Sequence, residues 1–116
     1  MNYSNSVETI LKKLPELESA IDPDVRDLPE VALGDFAIYL RKQIGKSDKE
    51  SFVGKSIEIL NEMAESQDLQ IVGLLSTGIV EVLLDDREKI EYIKKHARSE
   101  LLKVIERVHE FWTKPR

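Results

Sequence analysis

Residues 69–84, LQIVGLLSTGIVEVLL, constrain the fold more than any other part of the sequence. As a helix, this segment is apolar on nearly all sides, which is typical of a helix that other helices surround. Asp68 is placed to cap its N-terminus. Gly73 and Gly78 each cost about 1 kcal/mol of helix propensity relative to alanine, so we expect a neighbouring helix to approach closely at both. Two strands split at residues 76–78 are the alternative.

Four further helices are predicted by apolar residues that recur every three or four positions, with capping residues at their ends. They are a short helix that Asn5 or Ser6 caps and Pro15 ends, a helix over 34–45 that ends at Gly45, a helix over 48–66 that a Ser47-x-x-Glu50 capping box opens, and a long helix over 87–112 that Asp85 and Asp86 cap. The apolar seam of the last helix is expected to include Phe111 and to finish at Trp112.

The segment between Pro15 and Leu33 contains three prolines, which argue against one continuous helix. We expect an irregular helical turn near 15–21, followed by a loop that apolar residues such as Leu28 and Val31 hold against the body.

These elements predict an all-α fold. The whole chain, 1–116, is expected to form one domain, an antiparallel bundle of about five to six helices. It consists of an N-terminal part, 1–33, with a short helix and an acidic proline-containing segment, and a helical body, 34–112. A stack of HEAT-like helix hairpins is the alternative.

Composition excludes several classes of protein. With 41% hydrophobic and 34% charged residues, the chain is too apolar for disorder and too charged for a membrane protein. It contains no cysteine, which excludes disulfides, thiolate catalysis and Cys-ligated metals. The first residues, Met1 to Ser6, lack the basic and apolar regions of a signal peptide, so we expect a cytoplasmic protein.

Charge is distributed unevenly along the chain. Residues 1–86 hold 17 acidic and 8 basic residues, a balance of −9, whereas residues 87–116 hold 5 acidic and 9 basic residues, a balance of +4. An acidic body repels nucleic acid and attracts basic partners, so we expect a protein partner, and neither nucleic acid nor a membrane. The alternative is that the acidic surface only keeps the protein soluble.

Motifs for catalysis, cofactors or metals are missing from the sequence. His96 and His109 are predicted on one helix nearly four turns apart, too far for a shared metal or an acid–base pair. The tripeptides Gly-Lys-Ser at 45–47 and 54–56 lack the upstream glycine of a phosphate-binding loop. We therefore expect no enzyme, no cofactor and no metal site.

Glu81 is the one carboxylate that interrupts an apolar run, at 78–84. The pattern predicts a buried group, which needs a partner or a proton. A structural role, paired with a backbone group or with a basic residue of the first half, is the favoured interpretation. A lone general base is the alternative.

Acidic residues concentrated after the first helix and along the predicted 48–66 helix are the candidate partner-binding site. A solvated acidic loop is the alternative, and the spacing lacks the glycine and the final glutamate of a calcium loop. The candidate residues are Glu16, Glu18, Asp22, Asp24, Asp27, Glu30, Glu58, Glu62 and Glu65.

Two segments resemble the signature regions of a family of small, acidic, all-helical bacterial proteins of unknown function. They are LGDFAIYLRKQI at 33–44 and LQIVGLLSTGIVEVLL at 69–84, and Leu14-Pro15-Glu16-Leu17 fits the same pattern. The resemblance covers about residues 7–112, and such proteins resemble immunity proteins of contact-dependent and polymorphic toxin systems. It implies a non-enzymatic protein that binds and neutralises a bacterial toxin. A helical adaptor or an oligomerising module is the alternative.

Overall fold

The computed structural model describes residues 1–113, which form six α-helices and no β-strand. The helices are α1 (Ser6–Lys13), α2 (Pro29–Gln43), α3 (Glu50–Ala64), α4 (residues 69–83), α5 (Arg87–His96) and α6 (Ser99–Thr113). Three short 3-10 helices, Pro15–Ser19, Pro23–Val25 and Ser47–Lys49, lie in the connections. The predicted all-α class is confirmed, and the alternative of strands at 76–78 is wrong.

Helix α4 lies at the centre of the fold, as its apolar sequence predicts. It consists of an α-helical start, a π-helical segment at Leu75–Val80 and a last α-helical turn at Glu81–Leu83. Leu75, Ile79 and Val80 are fully buried. The side chain of Asp68 accepts a hydrogen bond from the backbone N–H of Gln70 at 2.9 Å, which confirms the predicted cap.

Helix α4 crosses α2 at a pair of glycines. A Cβ atom on Gly78 would lie 3.6 Å from the carbonyl oxygen of Glu30, and one on Gly34 would lie 3.8 Å from the carbonyl oxygen of Gly78. The predicted close approach is therefore confirmed at Gly78. It is wrong at Gly73, where a Cβ would meet nothing within 4 Å, because this residue faces away from the neighbouring helices.

Helix α2 begins at Pro29 rather than at the predicted Gly34. Proline is well suited to the first position of a helix, because its N–H would have no partner there. The helix therefore extends back into the segment that was expected to be a loop. As a consequence, Leu28 and Val31 are 51% and 48% exposed instead of holding a loop against the body.

The rest of the N-terminal connection agrees with expectation. The chain turns at Pro15–Ser19, where Leu17 is buried, and Ile21 is buried just beyond it.

The connection between α2 and α3 agrees with the prediction only in part. Gly45 has a φ of 96°, a left-handed conformation that favours glycine after a helix. The Ser47 capping box is wrong, because Ser47 lies in a 3-10 helix and no side chain caps α3.

The predicted long last helix is two helices. Asp86 caps α5 through a hydrogen bond from the backbone N–H of Lys89, as predicted, but Ala97 is extended and breaks the helix. At the break, the backbone N–H of Arg98 donates to the side-chain oxygen of Asn61 at 2.8 Å. Asn61 is only 2% exposed, so this bond links the α5–α6 joint to the interior. The spacing of apolar residues along the chain cannot predict this hydrogen bond between distant residues, so it did not indicate the break.

Candidate protein-binding surface

Most of the predicted acidic site residues have partners within the chain itself. Glu18 forms an ion pair with Arg26 at 2.8 Å, and Glu62 forms one with Lys13 at 3.2 Å. The hydroxyl of Tyr3 donates to Glu30 at 2.7 Å, and this bond raises the pKa of the Tyr3 hydroxyl.

Glu16 is held most firmly in the N-terminal segment. The hydroxyl of Tyr39 donates to its carboxylate at 2.6 Å, and the Lys49 ammonium lies 3.0 Å from the same oxygen. The Tyr39 hydrogen bond, followed by Lys49, lowers the pKa of the Glu16 carboxyl below its ordinary value. Tyr39 in turn packs edge-on against Phe52 with ring centroids 5.3 Å apart. Glu16 therefore ties the first turn to α2 and the start of α3.

Glu58 and Glu65 on α3 both bind Arg98. The guanidinium lies 2.7 Å from Glu58 and makes two bonds to Glu65, at 2.7 and 2.9 Å. Hydrogen bonds to Glu65 and Glu58 raise the pKa of Arg98, and Arg98 lowers the pKa of Glu65. These two carboxylates hold the α5–α6 joint on α3, and Arg98 balances one of their two negative charges.

Three aspartates remain for a partner. Asp22 accepts a hydrogen bond from the backbone N–H of Asp24 at 2.9 Å and caps the 3-10 helix there. Asp24 and Asp27 are exposed, and their carboxylates have no partner among residues 1–113. Of the nine predicted acids, these three lie close together in the sequence, directly before the exposed start of α2.

Exposed apolar side chains follow these aspartates along α2. Leu28, Val31 and Ile38 are 51%, 48% and 38% exposed. Leu28 lies directly before α2, and Val31 and Ile38, seven residues apart, share one face of the helix. The sequence pattern predicts Leu28 and Val31 against the body, so it does not indicate this surface. We define the acidic–apolar surface as Asp22, Asp24, Asp27, Leu28, Val31 and Ile38.

A second surface lies at the C-terminal end of α6. The buried seam of this helix ends at the half-buried Val108, and Phe111 and Trp112 beyond it are 65% and 59% exposed. The two rings meet edge to face with centroids 5.6 Å apart. The expectation that they complete the seam is wrong, because both side chains lie outside the packed core.

Trp112 lines an open groove of about 550 Å³ between the ends of α4 and α6. Glu81, Asp85 and His109 line it as well. Glu81 is half-buried and has no partner among the described residues, so the predicted buried, paired carboxylate is wrong. The apolar run surrounding Glu81 suggests burial on all sides, but the last turn of α4 borders the groove. We call this feature the α4–α6 groove.

The titratable side chains of the described residues are not grouped as a metal site would require. Within residues 1–113, no three His, Asp or Glu side chains are grouped to hold a metal ion. His96 and His109 are exposed and lie on different helices, α5 and α6, rather than on one. Gly45-Lys46-Ser47 belongs to the α2–α3 connection, and Gly54 to Ser56 lie within α3.

No helix of the described chain is long and apolar enough to cross a bilayer.

Together these features define a small all-α domain whose exposed surface carries apolar side chains beside carboxylates that the chain itself does not neutralise. Residues 7–113 match the profile of a domain of unknown function, DUF7674, and the chain belongs to that family. No curated protein and no solved structure matches the chain.

Proposed function

We propose that this chain is a non-enzymatic immunity protein, which binds and neutralises a cognate bacterial toxin. The observation that carries the proposal is the acidic–apolar surface, where unpaired carboxylates adjoin exposed apolar side chains. A basic nuclease is the class of toxin that fits this surface best, because nucleases need positive charge to hold nucleic acid.

Electrostatics gives such a partner a fast encounter. The carboxylates of Asp24 and Asp27 are exposed and form no ion pair in the described part of the chain, since the neighbouring Arg26 pairs with Glu18. Both aspartates are part of the balance of −9 over residues 1–86. Long-range attraction of this kind raises association rates by a factor of about 10 or more at low salt.

Apolar anchors then supply affinity. Leu28, Val31 and Ile38 lie on or directly before a helix whose opposite face is buried, including Leu33, Phe36 and Leu40. Side chains on a rigid helix lose little backbone freedom when they bind. An interface with apolar residues at its centre and charged residues at its rim is the usual arrangement in protein complexes.

A growth assay tests the proposed function. The reading frame next to this gene is induced alone and then together with this chain. We expect killing by the neighbouring product alone, relief on co-expression, and a stable complex on purification. Killing that persists although both proteins are made in folded form, or absence of killing by a product shown to be made, would contradict the proposal.

Charge reversal tests the surface in the same assay. We expect Asp24→Lys/Asp27→Lys to weaken protection and to slow association by about tenfold. The matched control is Glu106→Lys/Glu110→Lys, which changes net charge equally on the exposed face of α6. Equal effects of the two variants would show that overall charge, and not this surface, determines binding.

The oligomerising module stays the second candidate, favoured by the exposed Phe111–Trp112 pair. Gel filtration at several protein concentrations distinguishes the two. A monomer at all concentrations agrees with the immunity proposal, whereas a dimer that Trp112→Ala dissociates favours self-association.

A further inference from the structure

The α4–α6 groove combines negative charge with an aromatic wall. Glu81 and Asp85 lie four residues apart at the end of α4, and both line the groove opposite Trp112. Neither carboxylate has an ion-pair partner in the part of the chain that the structure describes. Val82 and Leu84 add apolar surface to the same wall.

The position of these carboxylates is electrostatically unfavourable in the chain by itself. The C-terminal end of a helix carries a partial negative charge, so carboxylates there are disfavoured and cations are favoured. Glu81 lies in the last turn of α4 and Asp85 just beyond it, so both negative charges stand at this end of the helix. Arg41, from α2, donates to the carbonyl oxygen of Val82 at 3.0 Å and offsets part of this charge. Among residues 1–113, however, no basic side chain forms an ion pair with Glu81 or Asp85.

We propose that the α4–α6 groove binds an arginine side chain presented by a peptide segment of a protein partner. The guanidinium stacks on the indole of Trp112, and its N–H groups donate to Glu81 and Asp85. A planar guanidinium fits this set better than an ammonium, because it stacks on aromatic faces and bonds carboxylates in pairs. This site is separate from the acidic–apolar surface and does not depend on the proposed immunity function.

The protein carries its own reporter for this site. Trp112 is the single tryptophan of the chain, so its fluorescence reports the groove alone. The probe is a short capped peptide with one arginine. Matched peptides carry lysine or citrulline, the neutral analogue of arginine, at the same position. Backbone amide shifts in NMR locate the bound peptide.

We expect a saturable change of Trp112 fluorescence with the arginine peptide, a weaker response with lysine and no saturable response with citrulline. Amide shifts are expected within 77–85 and 109–113. Glu81→Gln/Asp85→Asn should weaken binding at least tenfold. Asp24→Asn/Asp27→Asn, which changes net charge equally, should leave it unchanged. The amide spectrum of each variant shows that it is folded.

Three results would overturn the proposal. The first is equal binding of the citrulline peptide, which would remove the role of charge. The second is equal weakening in both double variants, which would indicate non-specific attraction. The third is a change of Trp112 fluorescence with protein concentration in the absence of peptide, together with a dimer in gel filtration, which would mean that a second copy of the chain occupies the groove. Each leaves the growth assay of the proposed function unaffected.

Discussion

The two glycines of α4 offer a sharp test of how closely α2 packs against α4. A Cβ on Gly73 meets nothing within 4 Å, so Gly73→Ala gains helix propensity without a clash. We expect it to raise the free energy of unfolding by about 0.5–1 kcal/mol. At Gly78, a Cβ would already touch Leu74 at 3.5 Å and the backbone of Glu30 at 3.6 Å. The γ-carbons of Gly78→Val have no room there, and we expect a loss of about 1–3 kcal/mol.

Gly78→Ala is the internal control, because its Cβ would make ordinary contacts and add no γ-carbon. We expect its free energy of unfolding to lie between those of the other two variants. Urea denaturation followed by far-UV circular dichroism measures the free energy of unfolding of all three variants. Thermal unfolding gives a second measurement, in which about 1 kcal/mol corresponds to a shift of roughly 4 °C in Tm for a chain of this size. Equal stability of Gly73→Ala and Gly78→Val would refute the close crossing of α2 and α4.

Three further predictions concern single residues. Asn61→Ala should lower the free energy of unfolding by about 1–3 kcal/mol, because the backbone N–H of Arg98 loses its buried acceptor; urea denaturation measures the loss, and an unchanged midpoint would contradict it. The lowered pKa of Glu16 stabilises the fold above its ordinary pKa, and this stability is lost as pH falls through the folded pKa; urea midpoints should thus fall less in Glu16→Gln than in wild type between about pH 5 and pH 3, and equal falls would contradict the Tyr39 bond. Trp112→Ala should change the free energy of unfolding by less than about 0.5 kcal/mol, whereas a larger loss would mean that the side chain is buried.

The features that the sequence predicted correctly are the ones that local physics determines. Asp68 and Asp86 cap their helices because an aspartate side chain reaches the first free backbone N–H groups. Gly45 follows the end of α2, where the chain needs the positive φ that glycine adopts without strain. The buried character of α4 follows from apolar residues on nearly all of its sides.

The features that the sequence did not predict depend on tertiary contacts. The break at Ala97 is stabilised by Asn61, more than thirty residues away in the chain, and periodicity continues across it. Phe111 and Trp112 continue the apolar spacing of α6, but they lie outside the packed core, and Trp112 borders the open α4–α6 groove. Pro29 did offer a local signal, since proline favours the first position of a helix, and it was interpreted only as a helix breaker.

The nine acids of the predicted site were chosen by residue type alone. In the structure most of them have partners within the chain, and three aspartates remain. Glu58 and Glu65 bind Arg98, and Glu16 binds Tyr39 and Lys49. Ion pairs between distant elements cannot be inferred from a single sequence, because the register between elements is unknown. What remains is a smaller surface, Asp22, Asp24 and Asp27, joined to apolar residues that sequence analysis had placed against the body.

The association of this chain with the product of the neighbouring reading frame, which we propose to be its toxin, tests the central claim most directly. Its rate is measured at low and high salt for wild type, for Asp24→Lys/Asp27→Lys and for the control Glu106→Lys/Glu110→Lys. Our account predicts fast, salt-sensitive association for wild type and for the control, and about tenfold slower, less salt-sensitive association for the aspartate variant. Equal rates and equal salt dependence in the three proteins would contradict a partner bound at the acidic–apolar surface.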